Sequence, residues 1–240
     1  MQIAGMIIEY NPMHSGHLYL LAETRRRLGA DTAVIAVMSG NFVQRGDFAL
    51  LRKHARSRAA VESGVDLVLE LPLPWAVSSA EGFARGAVGT LAATGLVTHL
   101  AFGSECGDAA ALRRLAMALN APDWQESLRG QLKRGVGFAE ARQRAVAQCL
   151  PEEAALLETP NNILAVEYCR QLLLLDSPIE ILTVARQGAG YHDTAPAAGH
   201  PSATMLRQLV RQGRREELIS RLPPAMAEAY IREERAGRAP

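Results

Sequence analysis

Cysteine is scarce in this chain of 240 residues. Cys106, Cys149 and Cys169 form no CxxC pair, which argues against a structural zinc cradle or a disulfide framework and favours a reducing compartment. All three read as small buried residues. No apolar run approaches the ~20 residues of a membrane-spanning helix. The first apolar run has no basic leader, so no signal peptide is expected and the cytoplasm is the expected location. Net charge is nearly absent at +1, which excludes a uniformly polybasic partner of nucleic acid. Lysine is also rare: only Lys53 and Lys133 stand among the 26 basic residues, a bias read as genomic because alanine is abundant. What is plentiful is apolar: 48% hydrophobic against 21% charged residues excludes a disordered chain.

Charge is spread unevenly. Residues 21–60 carry eight basic groups against three acids, residues 61–110 one against six, and residues 205–240 eight arginines against five glutamates. Such asymmetry permits an anion-facing side, although solvated helix faces carry the same pattern. Short apolar runs alternate with helical periodicity and no repeat is present. The pattern predicts strands over 3–8, 32–38, 66–71, 97–102 and 179–184. Helices are predicted over 16–28, 50–63, 79–94, 108–119, 125–133, 138–149, 163–175 and 202–212, with shorter ones to the end. Four strand-then-helix units in succession imply an α/β fold, a Rossmann-like parallel sheet of about five strands with helices on both faces. The expected organisation is a nucleotide-binding core over 1–106, a mainly helical segment over 107–176, the last strand and a second signature over 177–212, and a helical basic tail over 213–240.

The first strand runs into Glu9-Tyr10-Asn11-Pro12-Met13-His14-Ser15-Gly16-His17. His14-x-Gly16-His17 therefore falls where a strand ends and a helix begins, the crevice in which α/β sheets bind ligands. Two imidazoles three residues apart on the first helical turn can donate to phosphate oxygens or to charge developing at phosphorus. Gly16 leaves room for an adenosine against the backbone, and the helix N-terminus adds N–H donors and a positive dipole end. Two satisfied surface or core histidines are the plainer alternative.

With the blocks that follow it, this segment resembles the HIGH-type nucleotidyltransferase superfamily and, more narrowly, the bacterial tRNA(Met) cytidine acetate ligase family. The blocks are Val37-Met38-Ser39-Gly40-Asn41-Phe42-Val43-Gln44-Arg45-Gly46, Gly64-Val65-Asp66-Leu67-Val68-Leu69-Glu70-Leu71-Pro72 and Phe102-Gly103-Ser104-Glu105. They continue with Pro160-Asn161-Asn162-Ile163-Leu164, Arg186-Gln187-Gly188-Ala189-Gly190-Tyr191-His192 and Ser202-Ala203-Thr204-Met205-Leu206-Arg207. Together they span residues 2–212.

The resemblance implies ATP-dependent acetate activation: acetyl-adenylate and pyrophosphate form first. The wobble cytidine of elongator tRNA(Met) is then acetylated on N4 and AMP leaves. It implies catalytic His14 and His17. The implied ATP-binding residues are Ile7, Ile8, Glu9, Tyr10, Asn11, Pro12, Gly16, Leu20, Gly103, Asn162, Arg186, Ser202, Thr204 and Arg207. Ser39, Gly40, Asn41, Gln44 and Arg45 fall on the acetate or acceptor side, where a simple connecting loop is an equal alternative. Mg²⁺ accompanies ATP; with no carboxylate cage in the sequence, it would ride on the phosphates. Asn161 or Asn162 could equally cap the helix that follows, and Lys53 reads as a phosphate charge or a solvated helix residue. His99, Trp75 and Trp124 read as packing residues, with RNA stacking the outside role for the tryptophans. His192 and His200 lie near the presumed site.

Family members are longer, so the chain is expected to lack a C-terminal region that helps hold tRNA. An adenylyltransferase acting on a small metabolite, and a nucleotide- or RNA-binding module with little turnover, are the competing readings.

Overall fold

The computed structural model describes residues 1–44, 46–186 and 200–239. Arg45 and residues 187–192 of the block that opens at Arg186, His192 included, lie outside the described residues. Five strands, β1 Ile3–Ile8, β2 Ala33–Ser39, β3 Leu67–Leu71, β4 His99–Ser104 and β5 Glu180–Ala185, form one parallel sheet in the order β3-β2-β1-β4-β5. Helices α1 Ser15–Leu28, α2 Lys53–Glu62, α3 Leu73–Ala76 and α4 Ala80–Ala93 connect the first four strands. Between β4 and β5 lie α5 Ala109–Asn120, α6 Pro122–Leu132, α7 Phe138–Cys149, α8 Pro151–Ala154 and α9 Pro160–Leu174. After β5 come α10 Ala203–Arg211, α11 Arg215–Arg221 and α12 Pro224–Arg235.

The central strands are apolar on both faces because both faces are covered. Ala4, Met6 and Ile8 alternate with Ile3 and Ile7. The first set packs with Leu21, Ala59, Leu206 and Met226 of α1, α2, α10 and α12. The second packs with Leu91, Leu112 and Val166 of α4, α5 and α9. A Cβ on Gly5 would sit 3.0 Å from side-chain atoms of both Leu91 and Val97, so glycine lets α4 close on β1. The chain leaves β1 for β2 on one side and later returns to β4 on the other, which opens a switch-point crevice above their carboxyl ends.

Several boundaries differ from the sequence expectation for local reasons. β4 starts at His99 rather than 97 and runs through Gly103, which pairs with Val184 inside the strand instead of breaking it. Thr98 spends its N–H and hydroxyl on Ile3 before the ladder begins. α2 starts at Lys53 rather than 50 because side chains hold the incoming backbone: Asn11 Oδ1 accepts from Leu50 N–H at 2.7 Å and Asn41 Oδ1 from Lys53 N–H at 2.8 Å. α9 opens at Pro160, a residue suited to a first turn, so Asn161 and Asn162 lie inside the helix and neither is its N-cap.

The Arg-rich end is built into the core. Met226, Ala229 and Tyr230 of α12 are buried, and buried Glu233 accepts from Arg52 at 2.6 Å and Arg238 at 3.0 Å. The basic stretch 21–60 is compensated locally: Arg25 pairs with Asp66, Arg26 and Arg27 with Glu23, Lys53 with Glu70 and Arg58 with Glu62. It is not an uncompensated cationic face. Cys169 is buried as expected, whereas Cys106 is half-buried and Cys149 is exposed. Trp75 packs against Gly86 and under Arg85, Trp124 against the α5–α9 core. His99 meets Thr98 Oγ1 at 3.0 Å and Glu180 at 3.5 Å, away from the crevice residues.

Candidate active site

The exit from β1 is sharply bent. Tyr10 adopts φ +47, a left-handed conformation costing an L-residue about 1–2 kcal/mol, and the Asn11–Pro12 peptide is cis. The bend is held from three sides. Tyr10 is buried with its ring 4.8 Å from that of His17, Asn11 Oδ1 holds Leu50, and Arg207 Nη1 donates to the Asn11 carbonyl at 2.8 Å.

His14 is the N-cap of α1. Its Nδ1 accepts from Gly16 N–H at 3.1 Å, while His17 Nδ1 accepts from His14 N–H at 3.1 Å, and the two rings stack at 3.8 Å. This is the reciprocal logic of a capping box, written with imidazoles. Both Nδ1 atoms act as acceptors, so in the neutral rings the proton sits on Nε2, leaving an N–H donor on each. The expected backbone donors are partly consumed: Gly16 N–H goes to His14 and His17 N–H turns back to the His14 carbonyl at 2.9 Å. Gly16 is also needed for a reason the sequence did not reveal. A Cβ there would lie 3.0 Å from His14 Cε1 and 3.4 Å from His200 Cβ.

His14, Gly16, Tyr19, Val184, Ala185, Arg186, His200, Pro201 and Ser202 line one cleft. The two signatures, distant in sequence, thus meet. Ser202 caps α10 through Met205 N–H at 3.1 Å, and Thr204 Oγ1 accepts from Arg207 Nη2 at 3.2 Å. Ser202 is at the cleft, but Thr204 and Arg207 chiefly brace α10 against the β1 exit.

Opposite, Glu105 and Asn162 clamp one another. Asn162 Oδ1 accepts from Glu105 and Cys106 N–H at 3.0 and 3.1 Å, while Glu105 accepts from Asn162 N–H at 2.7 Å and Asn161 Nδ2 at 2.6 Å. Arg186 Nη1 reaches Asn161 Oδ1 at 3.5 Å. A Cβ on Gly103 would lie 3.3 Å from Arg186 Cγ, so that glycine makes room for the arginine. Glu105 was missed by sequence reasoning, although it stood in a quoted block.

The residues expected on the acetate or acceptor side, Arg45 apart, cluster at and after the end of β2, beside Glu9 at the end of β1. The Glu9 carboxylate accepts from Ser39 Oγ at 3.3 Å and Gln44 N–H at 2.7 Å. Burial raises its pKa against the pull of the Gln44 N–H. A Cβ on Gly40 would meet Glu70 Oε1 at 2.7 Å. Beneath them Arg56, fully buried, donates to the carbonyls of Leu51, Glu9, Ser39 and Gly40. Sequence reasoning missed it too. Ile7, Ile8 and Leu20 pack their side chains into the core beneath the cleft.

A profile of the family described as HIGH Nucleotidyl Transferase matches residues 1–239. The chain belongs to the HIGH nucleotidyltransferase family. It is 42% identical over 243 residues to a tRNA(Met) cytidine acetate ligase of Alkaliphilus metalliredigens, covering 95% of this chain and 57% of the relative. It is 44% identical to the one of Thermotoga maritima, covering 97% and 57%. Its fold matches the apo crystal structure of Thermotoga maritima TmcAL with a TM-score of 0.94 at 42% identity, over 100% of this chain and 58% of that one. It matches the form bound with alpha-thio ATP with a TM-score of 0.91, over 100% and 57%. The chain thus spans under two thirds of the length of these relatives. No described helix is long and apolar enough to cross a membrane.

The histidine pair of this nucleotidyltransferase makes stability depend on pH. Burial, then Arg186 and His200, lowers the His14 pKa from 6.5 to about 3, and burial with His14 and Arg186 puts His17 well below its usual value. The unfolded chain takes up these protons as pH falls through 6.5, while the folded chain does not. The neutral pair therefore leaves stability intact above that pH and withdraws it below. At pH 5, His14 alone removes about 2 kcal/mol, or about 4–8 °C in Tm at this size. His14→Asn retains a good N-cap without titrating. Its melting deficit relative to wild type is therefore expected to shrink between pH 7 and pH 5, and parallel melting curves would contradict the assignment. Glu9, which titrates with the opposite sign, cancels in that comparison.

Proposed function

We propose that the chain is an ATP-dependent ligase core that activates acetate as acetyl-adenylate for N4-acetylation of the wobble cytidine of elongator tRNA(Met). The observation that carries this reading is the convergence of His14, Arg186 and Ser202 on one cleft, in a fold matching a TmcAL structure bound with alpha-thio ATP. In the first step an acetate oxygen attacks the α-phosphorus and the bond to the β-phosphate oxygen breaks, releasing pyrophosphate. In the second the cytidine amine attacks the acetyl carbonyl, AMP leaves and the amine proton passes to solvent. The protein need supply no nucleophile, so its work is positioning and charge stabilisation.

His14 and His17 offer Nε2–H donors to the developing charge. Gly103, Asn162 and Arg186 frame the nucleotide, and Ser202 forms the phosphate side, with Thr204 and Arg207 bracing α10 behind it. Ser39, Gly40, Asn41 and Gln44, with Arg45, form the acetate and acceptor side. The Mg²⁺ accompanying ATP is assigned to the phosphates.

Acetate-dependent ATP–pyrophosphate exchange tests the first step without RNA, and mass spectrometry of elongator tRNA(Met) incubated with ATP and labelled acetate tests the second. Exchange with acetate is expected. Exchange that demands another acid or a phosphate acceptor favours a metabolite adenylyltransferase. ATP binding without any exchange favours a binding module.

A further inference from the structure

Nδ1 of each signature histidine is committed to holding α1, which leaves open which imidazole meets the phosphates most directly. His200 stands apart from them. Its ring is half-buried on the cleft wall, with Nδ1 2.8 Å from Ser15 Oγ and the ring centroid 5.6 Å from that of Tyr19. Ser15 is the first residue of α1, and Ser202, two residues after His200, is the N-cap of α10. The imidazole therefore sits where the N-termini of two helices, of 14 and 9 residues, converge. Both ends favour an anion, and the Arg186 side chain lines the same cleft. His14 and His200 flank Gly16, so a group lying over that glycine lies between two imidazoles.

We propose that His200 is a phosphate-contact residue of the ATP site, binding the β- and γ-phosphates from the wall opposite His14; this rests on reading the cleft as the ATP site. The Ser15 hydroxyl fixes the ring. When it donates to Nδ1, the imidazole proton sits on Nε2 as a donor to a phosphate oxygen. Because the contact is to the β- and γ-phosphates, it separates ATP from AMP. The adenosine and α-phosphate half of the ligand is left to the other cleft residues. A purely structural His200, bridging α1 to the start of α10, would treat the two nucleotides alike.

The test is calorimetric titration of the full chain with ATP·Mg²⁺ and separately with AMP, for wild type, His200→Ala and His200→Gln, with melting temperatures alongside. His200→Ala is expected to weaken ATP at least tenfold and to leave AMP within twofold. His200→Gln, which restores a side-chain N–H donor, is expected to recover part of the ATP affinity. Equal losses for both nucleotides, or unchanged ATP affinity in both variants, overturn the proposal while leaving the cleft as the ATP site. Wild type that binds neither nucleotide overturns the site reading itself, and the His200 assignment with it. If His200→Ala does not fold, the His200→Gln ratio of ATP to AMP affinity decides: a loss of ATP affinity with AMP affinity and melting temperature kept supports the contact, and a ratio equal to wild type's refutes it.

Discussion

His17→Gln is expected to keep the fold and lose the exchange reaction, by about 100-fold or more, the scale on which one preorganised transition-state donor is worth. The choice of glutamine follows from the geometry. His17 does two separable things. Its Nδ1 accepts the His14 N–H at 3.1 Å, closing the reciprocal cap of α1, and its Nε2–H remains for the reaction. Glutamine at the third helical position of a capping box accepts that same N-cap N–H, so the first task is preserved and the imidazole donor is removed. His17→Ala removes both and is expected to cost about 1 kcal/mol of stability in addition. The pair of variants thus distinguishes chemistry from scaffolding. Melting temperature should follow the order wild type, glutamine, alanine, while exchange should be equally poor in both variants. A glutamine variant with exchange near wild type would show that the cap alone is what this position supplies, and would withdraw His17 from the catalytic set.

The same residue shows what a sequence can disclose. Strand, turn, His14-x-Gly16-His17 and helix are local, and local pattern placed them correctly: β1 matches its predicted span and α1 begins within one residue of it. The parallel sheet followed from the alternation of strands and helices, because parallel strands impose crossovers, whereas the meeting of β1, β4 and β5 at one crevice is seen only in the structure. What sequence reasoning could not show are pairings across the fold. Nothing local says that His200 closes on Gly16, that Glu105 caps α9 while Asn162 reaches back to its loop, or that Glu233 receives Arg52 from 181 positions away. Charge runs stayed ambiguous for the same reason. The eight basic residues of 21–60 permit an anion-facing side or a solvated helix face until their partners, most of them distant or on the next helical turn, are in place.

Arg56→Met is expected to be among the most destabilising single changes in the chain, by about 3–5 kcal/mol, the range for breaking a buried charged network by removing one partner. Arg56 is 0% exposed and its guanidinium donates to carbonyls of Leu51, Glu9, Ser39 and Gly40. Burial drives its pKa from 12.5 down to about 10, with Glu9 and Glu70 opposing the shift, so it remains charged at neutral pH. Methionine is apolar and of comparable length, so the loss is electrostatic rather than a cavity. It leaves buried acceptors without a donor, each worth about 1–3 kcal/mol when orphaned. At about 2–4 °C per kcal/mol, Tm should fall by about 6–20 °C. Arg56→Lys keeps the charge, but a point-like ammonium cannot span four carbonyls on three segments, so an intermediate loss is expected. Thermal melts of the two variants decide it: methionine within about 2 °C of wild type would mean these carbonyls are satisfied without Arg56. The consequence reaches the site, because the Glu9, Ser39 and Gly40 carbonyls lie at the ends of β1 and β2. One buried guanidinium therefore ties the end of β1 to the end of β2. Variants that survive folding should lose exchange through weakened use of acetate before they lose ATP binding.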